Sequence, residues 1–263
     1  MRRGSFLRFV LLTWLALSPN VRSQIQNGPI KYETVHFAKA YPGCGPHGRE
    51  TCISVQTDYP AVVGAPTAAA QSLINASIQT HLFAHADGSP GPTSGDGLAV
   101  ELQDDYRDMQ RRVPEYRTPW FDHRSATVLM NSRAVFSIQM RLDQFTGGAH
   151  PNSVRVYANF RPSGESLSLK DVVKEDAIGR LTEIAERHFR QARKLADGAD
   201  LKQAGFSFAG GKFALPENFG FASDGLIFYY NSYDVAPYYF GPTEVRIPYG
   251  QVRELVKPEF ISQ

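Results

Sequence analysis

The chain has 263 residues and a formal net charge of +2, and 42% of its residues are hydrophobic. Its 28 basic residues are nearly balanced by 26 acidic ones, so there is no excess positive charge to track a phosphate backbone, and nucleic-acid binding is disfavoured. A chain of this length can bury enough apolar surface for one large hydrophobic core or two small ones.

The first 23 residues have the pattern of a secretory signal peptide. Arg2, Arg3 and Arg8 form a basic start, and the apolar stretch 9–17 follows them. That stretch is far shorter than the roughly 20 apolar residues that a membrane-spanning helix requires. We therefore expect residues 1–23 to be removed on export, which leaves a periplasmic or secreted chain without a transmembrane segment. Losing four arginines turns the charge balance into 24 basic against 26 acidic residues.

Cys44 and Cys52 are the two cysteines of the chain, and the residues between them are rich in turn formers. In an oxidising compartment, two cysteines this close most simply form a disulfide. A metal site that adds His36 or His47 as ligands is the alternative, but the spacing does not require one. We predict a disulfide and no metal ion or other cofactor.

Hydrophobic periodicity predicts strands and helices in a mixed order. In chain order they are strands at 32–39 and 53–59, helices at 66–84 and 98–113, strands at 126–130, 134–145 and 153–160, a helix at about 175–196, a short strand at 206–208, a hairpin of 219–222 with 226–230, a strand at 244–247 and a helix at about 251–256. Alternation is clearest where Phe136, Ile138 and Met140 are interleaved with Ser137 and Gln139, a pattern of strands with one buried face.

These elements predict an α+β fold with a mostly antiparallel sheet and helices packed on one side. We expect two closely associated subdomains, an N-terminal one at 24–160 and a C-terminal one at 161–258. In the C-terminal subdomain, the long helix is predicted to bury a stripe that includes His188 and Ala192.

An aromatic segment follows the predicted hairpin and contains Tyr229, Tyr230, Tyr233, Tyr238, Tyr239 and Phe240. The loop part of this segment carries too many aromatic residues to bury together. We therefore predict that Tyr233, Pro237 and Tyr238 lie at a partner-binding surface, where tyrosine offers a large area with a polar tip. Tyr239 and Phe240 are expected in the core. A loop that folds all its aromatic rings over the sheet edge is the alternative.

His150 follows Gly147 and Gly148, so its ring could stand exposed at the end of a strand. An exposed histidine can act as a general acid or base, but no carboxylate or nucleophile is placed beside it by the sequence. We assign His150 to the partner-binding surface and predict no catalytic residue. His81 and His85 have the spacing of two metal ligands on a helix, but without a third ligand motif we predict a solvent-facing pair.

Three motifs resemble a family of exported domains: FTGGAHPN at 145–152, GESLSLKDVV at 164–173 and GLIFYYNSYDVAPYYFGPTEVRIPY at 225–249. They are similar to the extracytoplasmic, lysozyme-sensing region of the anti-sigma factor RsiV. The same domain type stands in the non-catalytic N-terminal region of the deacetylase PdaC, and ISVQTDYPAV at 53–62 resembles the smaller domain that precedes it. The resemblance covers about residues 50–252.

The resemblance implies recognition of a partner. RsiV-type regulators carry a sigma-binding segment and a transmembrane helix where this sequence has a signal peptide, and PdaC carries a separate deacetylase domain for which the mature chain has no room. We therefore expect an exported, non-catalytic binding protein for an envelope or extracellular partner, with a lysozyme-like muramidase as the first candidate. Peptidoglycan or another glycan is the alternative ligand, and a hydrolase that uses His150 is the third hypothesis.

Overall fold

The computed structural model describes residues 28–44, 50–85 and 87–261. A five-stranded sheet lies in sequence order and contains β1 (Lys31–Cys44), β2 (Glu50–Gly64), β3 (Trp120–Asn131), β4 (Phe136–Phe145) and β5 (Asn152–Phe160). Neighbouring strands pair antiparallel except β2 and β3, which are parallel. A parallel pair needs a long crossover connection, and the helices α1 (Ala68–Phe83) and α2 (Gly95–Arg112) form it.

A second sheet has three antiparallel strands, β6 (Phe219–Phe221), β7 (Gly225–Tyr230) and β8 (Thr243–Pro248). The helices α3 (Leu169–Val172) and α4 (Ile178–Ala192) precede this sheet, and α5 (Tyr249–Val252) follows it. The predicted α+β fold with mostly antiparallel strands is confirmed. The short strand predicted at 206–208 is wrong, because these residues pair with no strand of the described chain and bury their two phenylalanines in the core.

Side-chain capping decides where the first two helices begin. The Thr67 hydroxyl accepts a hydrogen bond from the Ala70 N–H at 3.1 Å, and α1 therefore begins at residue 68. The Ser94 hydroxyl accepts one from the Gly97 N–H at 3.1 Å. This cap starts α2 at Gly95, three residues before the start predicted from apolar periodicity.

Both crossover helices cover the same face of the first sheet. Ile74 and Ile78 of α1 pack in one cluster with Ile138 of β4, and Leu102 of α2 packs with Val55 of β2. The second sheet contacts the opposite face and the outer edge of β5, and α4 covers the far side of the second sheet. The predicted placement of helices on one side therefore holds for each sheet.

Asparagine side chains join the two sheets. The Asn218 amide oxygen accepts a hydrogen bond from the Tyr157 N–H at 2.8 Å, and the Asn231 amide oxygen accepts one from the Arg155 N–H at 2.7 Å. Asn159 donates its side-chain N–H to the Phe219 carbonyl at 2.8 Å. The first two bonds satisfy backbone N–H groups along the outer edge of β5, which would otherwise be open to pairing with another chain, and the third satisfies a carbonyl of β6.

The core of the second sheet lies on one side of α4. Leu181, Ile184 and Phe189 are buried there, and the Phe189 ring is fully buried among the rings of the neighbouring segments. The prediction that His188 and Ala192 belong to the buried stripe is wrong. Ala192 is exposed, and His188 lies at the boundary, where its Nε2 contacts the Gln251 side-chain oxygen at 2.9 Å.

The predicted disulfide between Cys44 and Cys52 is confirmed. Both cysteines are buried beside Tyr106 and Trp120, in the cluster that α2 forms with β2. The signal peptide predicted at 1–23 and the alternative metal ligand His47 lie outside the described residues. Across the described ranges, every helix falls short of the length and apolar character needed to cross a bilayer.

Alkaline pH is expected to destabilise the contact between the sheets. Burial raises the pKa of Tyr157 from 10.0 to about 12, so the folded chain retains a proton that the unfolded chain loses. The stability from Tyr157 is fully present below about pH 10 and is lost as the pH rises through about 12. Urea denaturation at a series of alkaline pH values measures this decline. The side chain in Tyr157→Phe cannot ionise, so the stability of this variant should decline less steeply with pH than that of the wild type. An equal decline in both proteins would contradict the prediction that ionisation of Tyr157 causes the loss.

Candidate ligand-binding surface

The loop at 231–242, which connects β7 and β8, is called the aromatic loop, and it begins with a turn at the end of β7. The Asn231 N–H donates a hydrogen bond to the Asp234 carboxylate at 2.7 Å, which closes the turn. Burial raises the pKa of the Asp234 carboxyl, and this hydrogen bond partly opposes the shift. Tyr233 lies between Asn231 and Asp234 and has a φ of +74°, a left-handed conformation that is uncommon outside glycine. Its side chain is 63% exposed.

Arg193, just after α4, holds the other end of the loop. Its guanidinium donates hydrogen bonds to the carbonyls of Phe240 and Gly241, each at 2.8 Å, and to the Thr243 hydroxyl at 2.7 Å. The three bonds tie the loop to α4 and limit its freedom before any ligand arrives.

His150 reaches the loop from a glycine turn. Gly147 has a φ of +86°, and an added Cβ would collide with the Tyr116 hydroxyl, so the turn requires glycine there. The His150 ring stacks on Tyr238 with the ring centroids 3.5 Å apart and the planes 14° from parallel. The Tyr233 hydroxyl lies 3.5 Å from Nε2 of His150.

One backbone carbonyl orients two of these side chains. Nδ1 of His150 lies 3.0 Å from the Pro151 carbonyl oxygen, and the Tyr238 hydroxyl donates a hydrogen bond to the same oxygen at 2.9 Å. A protonated Nδ1 leaves Nε2 as an acceptor for the Tyr233 hydroxyl. We call the exposed surface formed by His150, Tyr233 and Tyr238 the aromatic platform.

The structure brings together all four residues predicted for partner binding. Pro237 immediately precedes Tyr238, and the ring centroids of Tyr233 and Tyr238 are 5.7 Å apart. Their role in binding stays a prediction. The expectation that Tyr239 is core is wrong, since this side chain is 81% exposed. Phe240 is half-buried, with its ring centroid 5.2 Å from that of Phe206.

The aromatic platform has the chemistry of a contact surface. Aromatic faces bind flat apolar groups, and the hydroxyl and imidazole groups at their edges can exchange hydrogen bonds with a polar ligand. Within the described chain, the His150 side chain contacts Tyr233, Tyr238 and the Pro151 carbonyl. Its orientation follows from these contacts, as expected for a histidine that bonds a backbone carbonyl.

The two histidines with metal-like spacing have different bonding partners. His81 Nδ1 lies 2.8 Å from the Ser77 carbonyl, whereas His85 Nδ1 lies 3.4 Å from the Glu101 carboxylate. In the described ranges, no three His, Cys, Asp or Glu side chains are grouped so that they could hold a metal ion.

Sequence reasoning missed a buried charged pair in β3. Asp122 and Arg124 are only 1% and 3% exposed, and they form a two-point ion pair with distances of 2.7 and 2.8 Å. Gln144 of β4 donates to the same carboxylate at 3.0 Å. The available signal was the strand alternation itself, which places Asp122 and Arg124 on the same face as the buried Trp120.

Two known families match separate parts of the chain. Residues 47–153 match the family described as deacetylase PdaC, and residues 170–250 match the protein family of unknown function DUF3298. We refer to these matched parts as the PdaC region and the DUF3298 region. The PdaC region includes the first sheet from β2 to the start of β5, and the DUF3298 region includes the second sheet with α4. The likeness to RsiV and the domain boundary at 160/161 stay predictions.

One curated protein and two solved structures are similar to this chain. The peptidoglycan-N-acetylmuramic acid deacetylase PdaC of Bacillus subtilis (strain 168) is 26% identical over 130 residues, which cover 46% of this chain. This chain spans only 26% of that protein. A DUF3298 family structure from Bacteroides fragilis covers 89% of this chain and 97% of its own, with a TM-score of 0.67 and 19% identity. A DUF3298 family structure from Pseudomonas aeruginosa PAO1 covers 88% and 96%, with a TM-score of 0.65 and 22% identity.

Proposed function

We propose that this protein is an exported, non-catalytic module that binds the glycan strands of peptidoglycan through the aromatic platform. The observation that carries the proposal is the stacked pair of His150 and Tyr238 beside the exposed Tyr233. Sugar rings have apolar faces that pack on aromatic rings, and their hydroxyls can bond to the polar tips of tyrosine and histidine. The Cys44–Cys52 disulfide supports a location outside the cytoplasm.

The relative from Bacillus subtilis supports the choice of ligand. Its name assigns it an activity on peptidoglycan, and its similarity to this chain extends over 130 residues. We infer that the shared region contributes attachment to peptidoglycan, while the chemistry belongs to the part of that protein which this chain does not match. The rigidity of the platform favours binding, because Arg193 and the Pro151 carbonyl order the loop in advance.

Tyr238→Ala is expected to weaken binding to purified sacculi by about 1–3 kcal/mol, because Tyr238 stacks on His150 and anchors the centre of the platform. Co-sedimentation of the mature chain with sacculi at several concentrations measures the change. Tyr239→Ala is the matched control: it removes an exposed ring whose recorded ring contact is Phe240, and sacculus binding should not change. Equal binding by wild type and Tyr238→Ala, with the fold intact by circular dichroism, would contradict the proposal.

A lysozyme-like muramidase is the second candidate partner. The observation that favours it is the exposure of Tyr233 and Tyr239 next to Pro237, since exposed aromatic side chains on an ordered loop are typical anchors of protein interfaces. The control variant separates the candidates, because a protein partner that covers the loop would contact Tyr239. Binding of lysozyme that falls in both Tyr238→Ala and Tyr239→Ala, without binding of sacculi, would favour the muramidase over the glycan.

A further inference from the structure

A cavity of about 480 Å³ opens on the helix-covered face of the first sheet. Its floor is aliphatic and consists of Leu142 of β4 with Val154 and Val156 of β5, all of them half-buried. The last turn of α1 and the connection at 88–93 form its wall. This volume is typical of sites for small ligands, which combine an apolar lining with a few polar groups.

The polar groups of the cavity come from the buried pair in β3. Asp122 and Arg124 line it together with Gln144. Arg124 donates from Nη1 to the carbonyls of Leu82 and Ala84, both at 2.9 Å. It donates from Nε and Nη2 to the Asp122 carboxylate. These contacts use four of the five N–H groups that a guanidinium carries.

One donor and one acceptor remain at this end of the cavity. The second N–H of Arg124 Nη2 has no partner among the described residues. The amide oxygen of Gln144 likewise accepts no hydrogen bond from the part of the chain that the structure describes, although its amide nitrogen donates to Asp122. A ligand that brings both a carbonyl and an N–H would match this donor and this acceptor.

Charges near the cavity select against anions. An adjoining cavity of about 340 Å³ shares His85, Asp122, Arg124 and Gln144 as lining residues. It is also lined by four charged side chains of α2, namely Glu101, Asp105, Asp108 and Arg112. Because Asp122 neutralises Arg124, acidic groups outnumber basic ones around the joined cavities, and a negatively charged ligand would be repelled.

We propose that the cavity binds the acetamido group of a neutral N-acetylated amino sugar. The methyl group packs on the aliphatic floor, the carbonyl accepts from Arg124, and the N–H donates to Gln144. We call this part of the cavity the acetamido subsite. The proposal rests on the proposed function and deepens it. Asn152 lines the cavity and lies two residues after His150, so the aromatic platform and the cavity are connected by at most about 8 Å of chain. One glycan strand could contact both.

The mature chain is titrated with N-acetylglucosamine and, in a separate experiment, with glucosamine. NMR chemical shifts measure the binding of each sugar. N-acetylglucosamine is expected to bind at least about 10-fold more tightly, because glucosamine lacks the carbonyl and the methyl group that the subsite contacts. Shifts should concentrate in β4 and β5. Equal affinity for the two sugars, or tighter binding of glucosamine to the acidic side chains, would overturn the proposal.

Two variants and one control locate the binding. Val154→Phe fills the cavity and should abolish binding of N-acetylglucosamine, whereas Val63→Phe makes the same change at a 50% exposed strand position and should not. Gln144→Met keeps the side-chain length and removes the amide, so it should reduce the preference for the acetylated sugar even if Val154→Phe folds poorly. Unchanged selectivity in Gln144→Met would overturn the subsite.

Sacculus binding distinguishes the subsite from the proposed function. If sacculi bind in a Tyr238-dependent way while wild type shows no preference for N-acetylglucosamine, the subsite is wrong and the aromatic platform stands. If N-acetylglucosamine binds selectively but sacculi do not bind, the subsite stands for a soluble sugar and the proposed attachment to peptidoglycan is wrong.

Discussion

Asp122→Ala is expected to lower the free energy of unfolding by about 3–5 kcal/mol, because it leaves the Arg124 guanidinium buried without its counter-charge. Arg124 is 3% exposed, and its remaining partners in the described chain are two backbone carbonyls at the end of α1. Those bonds hold the guanidinium beneath the helix, so it cannot move to water without also releasing the end of α1. Urea denaturation at neutral pH measures the loss.

The control for this prediction removes both charges. Asp122→Leu combined with Arg124→Met replaces the pair by apolar side chains of similar size, and its stability should stay near that of the wild type, because no buried charge is left unpaired. A loss below about 1 kcal/mol in Asp122→Ala would contradict the prediction and indicate that water enters through the adjoining cavity and solvates Arg124.

Phe189→Ala is expected to destabilise the DUF3298 region by about 3–5 kcal/mol, the range for removing a buried aromatic ring. Phe189 is 0% exposed, and its ring contacts those of Phe206, Phe208, Phe213 and Tyr230, with centroid distances from 5.1 to 5.5 Å. The cavity left behind would be bordered by four rigid rings, which cannot collapse into it easily. Thermal and chemical unfolding of the variant measure the effect.

The neighbouring residue is the matched control. His188→Ala removes a half-buried side chain whose recorded contact is the Gln251 side chain, and it should cost less than about 1 kcal/mol. A larger cost for His188→Ala than for Phe189→Ala would reverse the assignment of the buried face of α4. The two variants therefore test the position at which the predicted stripe of this helix departs from the buried face.

Several features could be predicted because the information is local. The alternation of Phe136, Ile138 and Met140 determines the buried face of β4, since side chains along a strand alternate with a period of two. Cys44 and Cys52 are eight positions apart, so their pairing needs no knowledge of distant segments. The crowding of aromatic residues in the loop also predicted that Tyr233 would be exposed.

Other features depend on contacts between distant segments. In the last turns of α4, Phe189 is buried instead of His188, because the rings of 206–213 and Tyr230 form a pocket that accepts Phe189. Tyr239 is exposed although its neighbour Phe240 is not, because Arg193 and Phe206 hold the loop by Phe240 and leave the next ring outside. Loops lack the periodicity that would have revealed the exposure of Tyr239.

The sequence by itself determined the α+β class, the disulfide and the identity of the residues that form the aromatic platform, because each follows from neighbours in the chain. Only the tertiary structure decided that β2 and β3 pair in parallel, that His150 stacks on Tyr238 from 88 positions away, and that Asp122 and Arg124 meet Gln144 at a cavity. The physical reason is that strand patterns specify which face is buried but not which strand is adjacent, so long-range contacts remain open until the whole chain packs.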